Sequence, residues 1–166
     1  PTMLSQSRVK GGLGMAITQR QKSLVIESFA QVEKISDVAA SIFYKKLFEY
    51  DPSLEALFKG DIKSQGRKLM SALSLAVKSL NNLDALVPVL QKMAVKHVAY
   101  GVKAEDYTPV GNALLFALSQ GLGSAFTQEL KQAWIEVYKA VATIMRQAAY
   151  PNFNVNTFKN TKYYVH

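Results

Sequence analysis

His97 is one of two histidines in the chain, and its spacing places it on an apolar helix face. The residues of that face recur at alternating intervals of four and three, namely Leu86, Leu90, Met93, His97 and Tyr100. This period predicts a helix whose buried stripe includes the histidine and which ends at Gly101. A lone histidine on such a face is most often a core residue bonded to backbone. The same imidazole is also the commonest metal ligand in proteins.

Three further polar side chains interrupt apolar patterns elsewhere. Tyr44 and Gln65 fall on the apolar stripes of two other predicted helices, and Tyr107 follows His97 by ten residues. Taken singly, Tyr44 is explained by a hydroxyl bonded to a carbonyl and Gln65 by a helix end that reaches water. Together they indicate a bound polar group with which all of them interact, because each unpaired buried polar group destabilises the fold by about 1–3 kcal/mol. A bound cofactor that contains a metal is such a group.

Composition limits the classes of protein that remain. The 166 residues carry a net charge of +8. The sequence contains no cysteine, and this absence excludes disulfides and thiolate metal sites and fits a cytoplasmic protein. No apolar run approaches the roughly 20 residues of a membrane span. The positive charge is concentrated in residues 1–22 and 150–166, whereas residues 23–149 hold 14 basic and 12 acidic side chains. We therefore expect neither a membrane nor a nucleic-acid partner, although a helical nucleic-acid binder stays an alternative based on the charged tails.

Period and capping signals predict an all-α chain of six or seven helices. We expect helices over about 18–33, 36–50, 62–80, 84–100, 108–122 and 127–150, with a short helical turn after Pro52. The expected starts are Thr18, Ser36 or Asp37, Asp84, Thr108-Pro109 and Thr127. Residues 1–16 are expected to form a flexible extension, residues 17–150 the folded domain and residues 151–166 a tail.

The order of several short motifs resembles that of a known family. Seven short motifs occur in the order and at the spacings of a globin. They are Pro52, Leu57-Phe58, the run from Gln65 to Met70, Lys96-His97, Tyr100-Gly101-Val102, Tyr107 and Trp134. Over about residues 17–149 the chain is similar to single-domain bacterial globins related to flavohaemoglobins, and to vertebrate neuroglobin. The resemblance implies a globin fold around a pocket for haem b.

The resemblance also implies a role for each matching residue. His97 would bind the iron, Tyr44 and Gln65 would donate hydrogen bonds to a ligand on the opposite face, and Leu69 would close that side. Other positions would contact the haem, with Lys68 reaching a propionate: Phe43, Phe58, Lys68, Leu90, Met93, Val102, Tyr107, Val110 and Leu114. Two donors beside a bound diatomic ligand that gains negative charge imply high affinity for oxygen, NO or CO.

The chain departs from the flavohaemoglobin pattern in two respects. Those proteins carry a glutamate late in the last helix, where our alignment places Ala149, and they continue into a reductase for which this chain has no length. Nitric oxide dioxygenation would therefore need a separate reductase, and it competes with oxygen binding or sensing. A globin-fold interaction module without haem is the other alternative, against which His97 and Gln65 argue. We expect a monomer or a weak homodimer.

Overall fold

The computed structural model describes residues 17–58, 60–150 and 153–154. These residues form six α-helices: α1 Gln19–Glu33, α2 Ser36–Tyr50, α3 Ile62–Lys78, α4 Leu83–Ala99, α5 Tyr107–Leu122 and α6 Gln128–Ala149. Three 3₁₀ helices, Pro52–Leu57, Ala104–Asp106 and Gly123–Ala125, connect them, and the described part contains no strand. The predicted all-α class is confirmed. The predicted 1–16 extension and nearly all of the 151–166 tail lie outside the described residues.

Side-chain caps explain where three of the helices begin. The Thr18 hydroxyl accepts from the Gln21 backbone N–H while the Gln21 side chain accepts from the Thr18 N–H, which is a complete capping box. Thr127 accepts from Leu130 N at the start of α6, and Asp61 accepts from Lys63 N at the start of α3. The starts predicted at Thr18 and Thr127 are confirmed.

Three other predicted capping residues were wrong by one or two positions. Helix α2 begins at Ser36 with Ile35 in the capping position, because the Ile35 carbonyl already accepts from Ala39 N. Helix α4 begins at Leu83, so that Asp84 lies inside the first turn, near the positive end of the helix dipole. Helix α5 begins at Tyr107 rather than at Thr108-Pro109, continuing directly from the preceding 3₁₀ turn.

The core is built around α5 and α6. Helix α5 packs on α2, helix α4 packs on α6, and α1 crosses both α6 and α3. At the α1–α6 crossing the rings of Phe29 and Trp134 lie 6.2 Å apart, and the Trp134 indole N–H donates to Ser28 Oγ over 3.0 Å. The Ser28 hydroxyl in turn donates to the Val25 carbonyl, so the buried indole is fully satisfied. Among the described residues no helix is long and apolar enough to cross a bilayer.

The buried stripe of α4 differs from the predicted one. Leu83, Leu86, Leu90 and Ala94 are the buried residues, so the stripe passes to one side of Met93 and His97, which are half-buried. Tyr100, predicted on the stripe, is 64% exposed. The reason is that α4 has an extensive contact only with α6. The residues buried by that contact continue at intervals of four from Leu86 to Leu90 and Ala94, whereas the predicted stripe alternates between intervals of four and three. His97 therefore lies at the edge of the buried face.

Helices α3 and α4 are held by different partners. Helix α3 packs on α1 and α2, whereas α4 packs on α6, and the two described helices scarcely touch each other. The fold thus leaves α3 and α4 without an extensive shared contact among the described residues. Gln65 begins the inner face of α3, and His97 lies near the end of α4.

Candidate functional site

Tyr44 is enclosed by aromatic rings. Its ring lies 4.9 Å from that of Phe43 and 5.2 Å from that of Phe58, both in edge-to-face geometry, and 6.0 Å from that of Phe48. Only 5% of the residue is exposed, and burial raises the pKa of its hydroxyl to about 12. The hydroxyl is therefore a neutral donor at any physiological pH.

The structure brings Tyr44 and Gln65 together. The Tyr44 hydroxyl on α2 donates to the backbone carbonyl of Gln65 on α3 over 3.2 Å. This bond uses the carbonyl of Gln65 and leaves its side-chain amide, which is half-buried, available as a second donor. Lys68, one turn further along α3, is exposed.

Close helix packing determines how α3 sits on α2. Gly66 lies on α3, and a Cβ added there would come within 3.0 Å of the Ala40 Cβ on α2. A larger residue at position 66 would separate the two helices and move Gln65 away from Tyr44. Beyond this contact, Phe43, Leu69 and Leu114 line one apolar cavity of about 10 Å³.

His97 is anchored through one ring nitrogen. Its Nδ1 lies 2.6 Å from the Met93 carbonyl oxygen, and because a carbonyl oxygen only accepts, Nδ1 carries the proton. In the neutral ring the lone pair then lies on Nε2, which is the form that a metal ligand requires. The same bond fixes the orientation of the imidazole relative to the α4 axis.

The turn after His97 brings the next group of residues back against the helix. Gly101 adopts φ +97°, which side chains disfavour, and a Cβ there would also meet Leu57 Cδ2 at 3.2 Å. Val102 N donates to the His97 carbonyl over 3.0 Å. The turn therefore brings the Val102 backbone to the histidine. Leu57, which precedes Phe58 in the sequence, packs against the same turn.

Tyr107 is buried, with 6% of its surface exposed, at the start of α5. Its hydroxyl has no hydrogen-bond partner among the described residues, and burial raises its pKa. Tyr107 also lines a cleft of about 330 Å³ between α5 and α6, together with Tyr138 and Arg146. An unsatisfied buried hydroxyl is unusual enough to indicate a missing partner.

Sequence reasoning missed a clamp at the end of α6. The Arg146 guanidinium donates to the Ala104 carbonyl over 2.9 Å and to Thr108 Oγ1 over 3.2 Å, and it lies 5.4 Å from the Tyr107 ring centroid. The Tyr150 hydroxyl donates to the Val102 carbonyl, and the Tyr138 hydroxyl donates to that of Tyr107 over 2.5 Å. The available signal was the spacing of eight residues between Tyr138 and Arg146, about two helical turns, and of four between Arg146 and Tyr150.

The predicted residues fall into two groups, one around Tyr44 and one around His97. Tyr44, Gln65 and the aromatic residues around them form one group on α2, α3 and the intervening turn, and His97 with Met93 and Val102 forms the other. No hydrogen bond or ring contact links His97 with Tyr44 or Gln65, three residues that the structure describes. Several of the predicted site residues are only half-buried: Phe58, Gln65, Leu69, Met93, His97, Val102 and Val110.

Comparison with known proteins gives one consistent result. The family model described as Globin matches residues 41–145. Neuroglobin from Danio rerio is 30% identical over 143 residues, covering 78% of this chain and 90% of that protein. A flavohemoprotein from Halalkalibacterium halodurans is 30% identical over 134 residues, covering 79% of this chain but 33% of its own length. The chain therefore spans about a third of such flavohemoproteins.

Two solved structures have similar folds. An engineered carbene transferase from Rhodothermus marinus, described as a candidate nitric oxide dioxygenase, superposes with a TM-score of 0.73 at 30% identity, over 80% of this chain and 93% of that one. A hexacoordinated haem protein from an anhydrobiotic tardigrade has the same TM-score at 19% identity, over 80% of this chain and 95% of its own. The second likeness concerns the fold alone.

Proposed function

Since this chain belongs to the globin family, we propose that it binds haem b through His97 and uses it to hold diatomic ligands such as oxygen, NO and CO. The single observation that carries the proposal is the bond from His97 Nδ1–H to the Met93 carbonyl. It leaves Nε2 of this half-buried residue unprotonated, with a lone pair that would be able to bind the iron.

The position of the helices supports a planar group between them. Helices α3 and α4 pack on different neighbours, and Leu69 on α3 and Met93 on α4 are only half-buried. We propose that Leu69 and Phe58 contact the haem from the α3 side, with Phe43 behind them. Leu90, Met93, Val102, Val110 and Leu114 would contact it from the other elements, and Tyr107 would be a further contact. Lys68, which is exposed, is positioned for a propionate.

Haem, when bound, supplies an iron atom at which a diatomic ligand is held. The work of this chain is to bind the haem, exclude water and donate hydrogen bonds. We propose that the Gln65 amide and the Tyr44 hydroxyl are the donors. Each hydrogen bond to a charged acceptor contributes about 1.5–3 kcal/mol, which corresponds to roughly ten- to a hundredfold in affinity. The Tyr44 hydroxyl has one proton to donate, so a hydrogen bond to a ligand requires the hydroxyl to give up its bond to the Gln65 carbonyl.

Replacement of His97 tests the proposal directly. The purified His97→Ala variant is expected to lose the intense blue-edge absorption band of haem and to bind added haemin at least about tenfold more weakly, because the ligand atom is gone. The matched control is His166→Ala, which removes the only other histidine in the chain. An unchanged spectrum in His97→Ala, or a wild-type protein that takes up no haemin, would reject the proposal.

Nitric oxide dioxygenation is the second candidate function. It is favoured by the likeness to flavohemoproteins and to the Rhodothermus marinus protein. The reaction also consumes electrons, which the assay supplies as a chemical reductant. Consumption of NO by the haem-loaded protein with a supplied reductant is the measurement, and consumption no faster than that of His97→Ala would leave reversible ligand binding as the function.

We also propose that residues 17–150 are the folding unit. The first and last described helices, α1 and α6, pack on each other and close the core through Phe29 and Trp134. A protein limited to residues 17–150 is expected to unfold cooperatively at the same urea concentration as the full chain.

A further inference from the structure

The cleft between α5 and α6 has a volume of about 330 Å³. Small-molecule sites in proteins have volumes of about 300–1,000 Å³, so this space suits one small ligand. Apart from Tyr107, no residue that lines it has been assigned to the haem above. We call this space the α5–α6 cleft, and its argument depends mainly on six of its residues: Thr108, Asn112 and Leu115 on α5, and Ile135, Lys139 and Arg146 on α6.

Fixed contacts define the walls of the α5–α6 cleft. The Tyr138 ring lies so close to α5 that a Cβ on Gly111 would come within 2.6 Å of its Cε2. The Tyr138 hydroxyl donates to the Tyr107 carbonyl, and the Arg146 guanidinium donates to Thr108 Oγ1 over 3.2 Å. Each of these contacts joins α6 to α5. The cleft is therefore a preformed feature of the helix pair, which reduces the entropy lost when a ligand binds.

The two ends of the α5–α6 cleft differ in polarity. The contacts just described show that α5 and α6 run antiparallel, since residues further along α5 meet residues earlier in α6. Thr108 and Arg146 thus lie at one end of the cleft, and the apolar Leu115 and Ile135 lie toward the other. Thr108 and Leu115 are two turns apart on α5, which is about 10 Å along a helix. A ligand that matches the cleft has one polar end and one apolar end.

The charged side chains in the lining are both cations. Arg146 is half-buried, and burial lowers the pKa of its guanidinium, because water solvates this charge incompletely. Lys139 is exposed, with its Nζ 3.9 Å from a carboxylate oxygen of Glu136. Glu136 lies outside the lining, as does Glu105, whose charge attracts Arg146. An anionic group is therefore favoured inside the cleft, and a carboxylate suits the planar guanidinium.

Two uncharged donors in the lining have no hydrogen-bond partner among the described residues. They are the side-chain amide of the half-buried Asn112 and the hydroxyl of the buried Tyr107. Asn112 lies one turn beyond Thr108 on α5, so its amide is next to the cationic end of the cleft. Buried donors in folded proteins are normally paired. A carboxylate bound in the cleft adds two acceptor oxygens to this lining.

We propose that the α5–α6 cleft binds a small aromatic carboxylate, that is, an acid with one ring on a short linker. The carboxylate would lie at the end formed by Arg146 and Thr108, with Asn112 as a further donor. The ring would lie between Leu115 and Ile135. A single ring on a short linker spans roughly the 10 Å between the two ends, which a long alkyl chain exceeds. The site is separate from the iron ligand His97, and its occupancy does not depend on haem.

Isothermal titration calorimetry of the full chain with hydrocinnamate at about pH 7 tests the proposal. We expect saturable one-to-one binding tighter than about 1 mM. Two further probes separate the parts of the ligand, because hydrocinnamyl alcohol lacks the charge and propanoate lacks the ring. Each is expected to bind at least about tenfold more weakly than the acid, since each loses the interactions at one end of the cleft. Equal binding of the acid and the alcohol, or no saturable binding of the acid, would overturn the proposal.

A charge placed in the cleft locates the site. Asn112→Asp adds a negative charge at nearly constant side-chain size and is expected to weaken hydrocinnamate binding by about tenfold or more, because like charges then face each other. Binding of the neutral alcohol is expected to stay within about threefold. The matched control Asn81→Asp makes the same substitution before α4, where the side-chain oxygen accepts from Gln19, and is expected to bind the acid within about twofold of wild type. Equal loss in both variants would show an effect of net charge alone and would reject the site.

A second variant examines the apolar end. Ile135→Ser keeps every charge and shortens a half-buried side chain, so hydrocinnamate binding is expected to fall by about three- to tenfold. Unchanged binding in this variant would show that the ring does not lie at this end. Circular dichroism and urea unfolding verify that each variant is folded.

Haemin separates this inference from the proposed function. The titrations are run with and without haemin, whose own binding is read from the absorption spectrum. Hydrocinnamate is expected to bind within about twofold equally in both cases. Loss of its binding when haemin is present would place the acid in the haem pocket and overturn the α5–α6 cleft as its site. A protein that binds hydrocinnamate as expected but takes up no haemin would refute the proposed function and uphold the cleft.

Discussion

Tyr44 shows how a single residue serves both packing and chemistry. Three phenylalanine rings fix its ring, and its one proton is donated to the Gln65 carbonyl on the neighbouring helix. Burial raises its pKa to about 12. The hydroxyl therefore stays protonated under all ordinary conditions, and the proposed donation to a ligand does not depend on pH below about pH 10.

Removal of that proton is the first prediction. Tyr44→Phe keeps the ring and its aromatic neighbours, so the fold is expected to persist. If the hydroxyl donates to the ligand, oxygen release measured by stopped flow is expected to accelerate by roughly ten- to a hundredfold, the equivalent of one charged hydrogen bond. The exposed Tyr100→Phe is the matched control and is expected to leave the rate unchanged. An off-rate in Tyr44→Phe equal to that of wild type would show that the hydroxyl remains on the Gln65 carbonyl.

The sequence predicted residue types at the site better than their exposure. Tyr44 and Gln65 were expected to share a site, and they are in contact. Tyr100 was expected inside and lies outside, because the stripe on α4 is determined by which helix packs against it, and a heptad-like period does not contain that information. The protonated nitrogen of His97 depends on the position of the Met93 carbonyl, which only the folded helix supplies.

At the scale of elements, α5 and α6 approach each other closely at Gly111. A Cβ added there would lie 2.6 Å from Cε2 and 2.9 Å from Cδ2 of the Tyr138 ring. The ring has little freedom to move, since its hydroxyl donates to the Tyr107 carbonyl. Glycine is therefore required in mid-helix, although it costs about 1 kcal/mol of helix propensity relative to alanine.

The second prediction compares two glycines of α5. Gly111→Ala is expected to lower the free energy of unfolding by about 1–3 kcal/mol, because overpacking against the Tyr138 ring exceeds the gain in helix propensity. Gly121→Ala is the control: its nearest neighbour is the terminal carbon of the Ile35 side chain at 3.2 Å, which is able to rotate away. That variant is expected to be neutral or up to about 1 kcal/mol more stable. Urea unfolding measures both, and equal effects would show that the ring gives way.

Helix boundaries followed from the sequence where a side chain makes the cap. Thr18 and Thr127 were predicted because a hydroxyl bonded to a backbone N–H is a local feature. The start of α2 at Ser36 depends instead on the Ile35 carbonyl, and the Arg146 clamp on carbonyls brought close by tertiary packing. Backbone acceptors leave no trace in residue identity, so neither the capping role of Ile35 nor the Arg146 clamp was predicted.

At the scale of the whole molecule, the core carries several tyrosine hydroxyls that resist ionisation. Burial raises the pKa of Tyr44 to about 12, and it raises the pKa values of Tyr107 and Tyr138 as well. In the unfolded chain each of these hydroxyls ionises near pH 10. Above that pH the folded state holds more protons than the unfolded state, so the free energy of unfolding falls as pH rises. Below it the two states hold equal numbers of these protons, and the contribution is complete.

The third prediction is therefore an alkaline loss of stability with a defined onset. The free energy of unfolding is expected to be insensitive to these tyrosines from about pH 7 to 9, and from about pH 10 to fall by up to about 1.4 kcal/mol per pH unit for each tyrosine. Urea unfolding at closely spaced pH values measures the slope. Tyr138→Phe removes one titrating group and is expected to give a shallower slope than wild type, whereas Tyr100→Phe, at an exposed position, is expected to match it. Identical slopes in all three proteins would mean that the buried hydroxyls ionise equally in both states, and the alkaline loss would then have to come from groups outside the core.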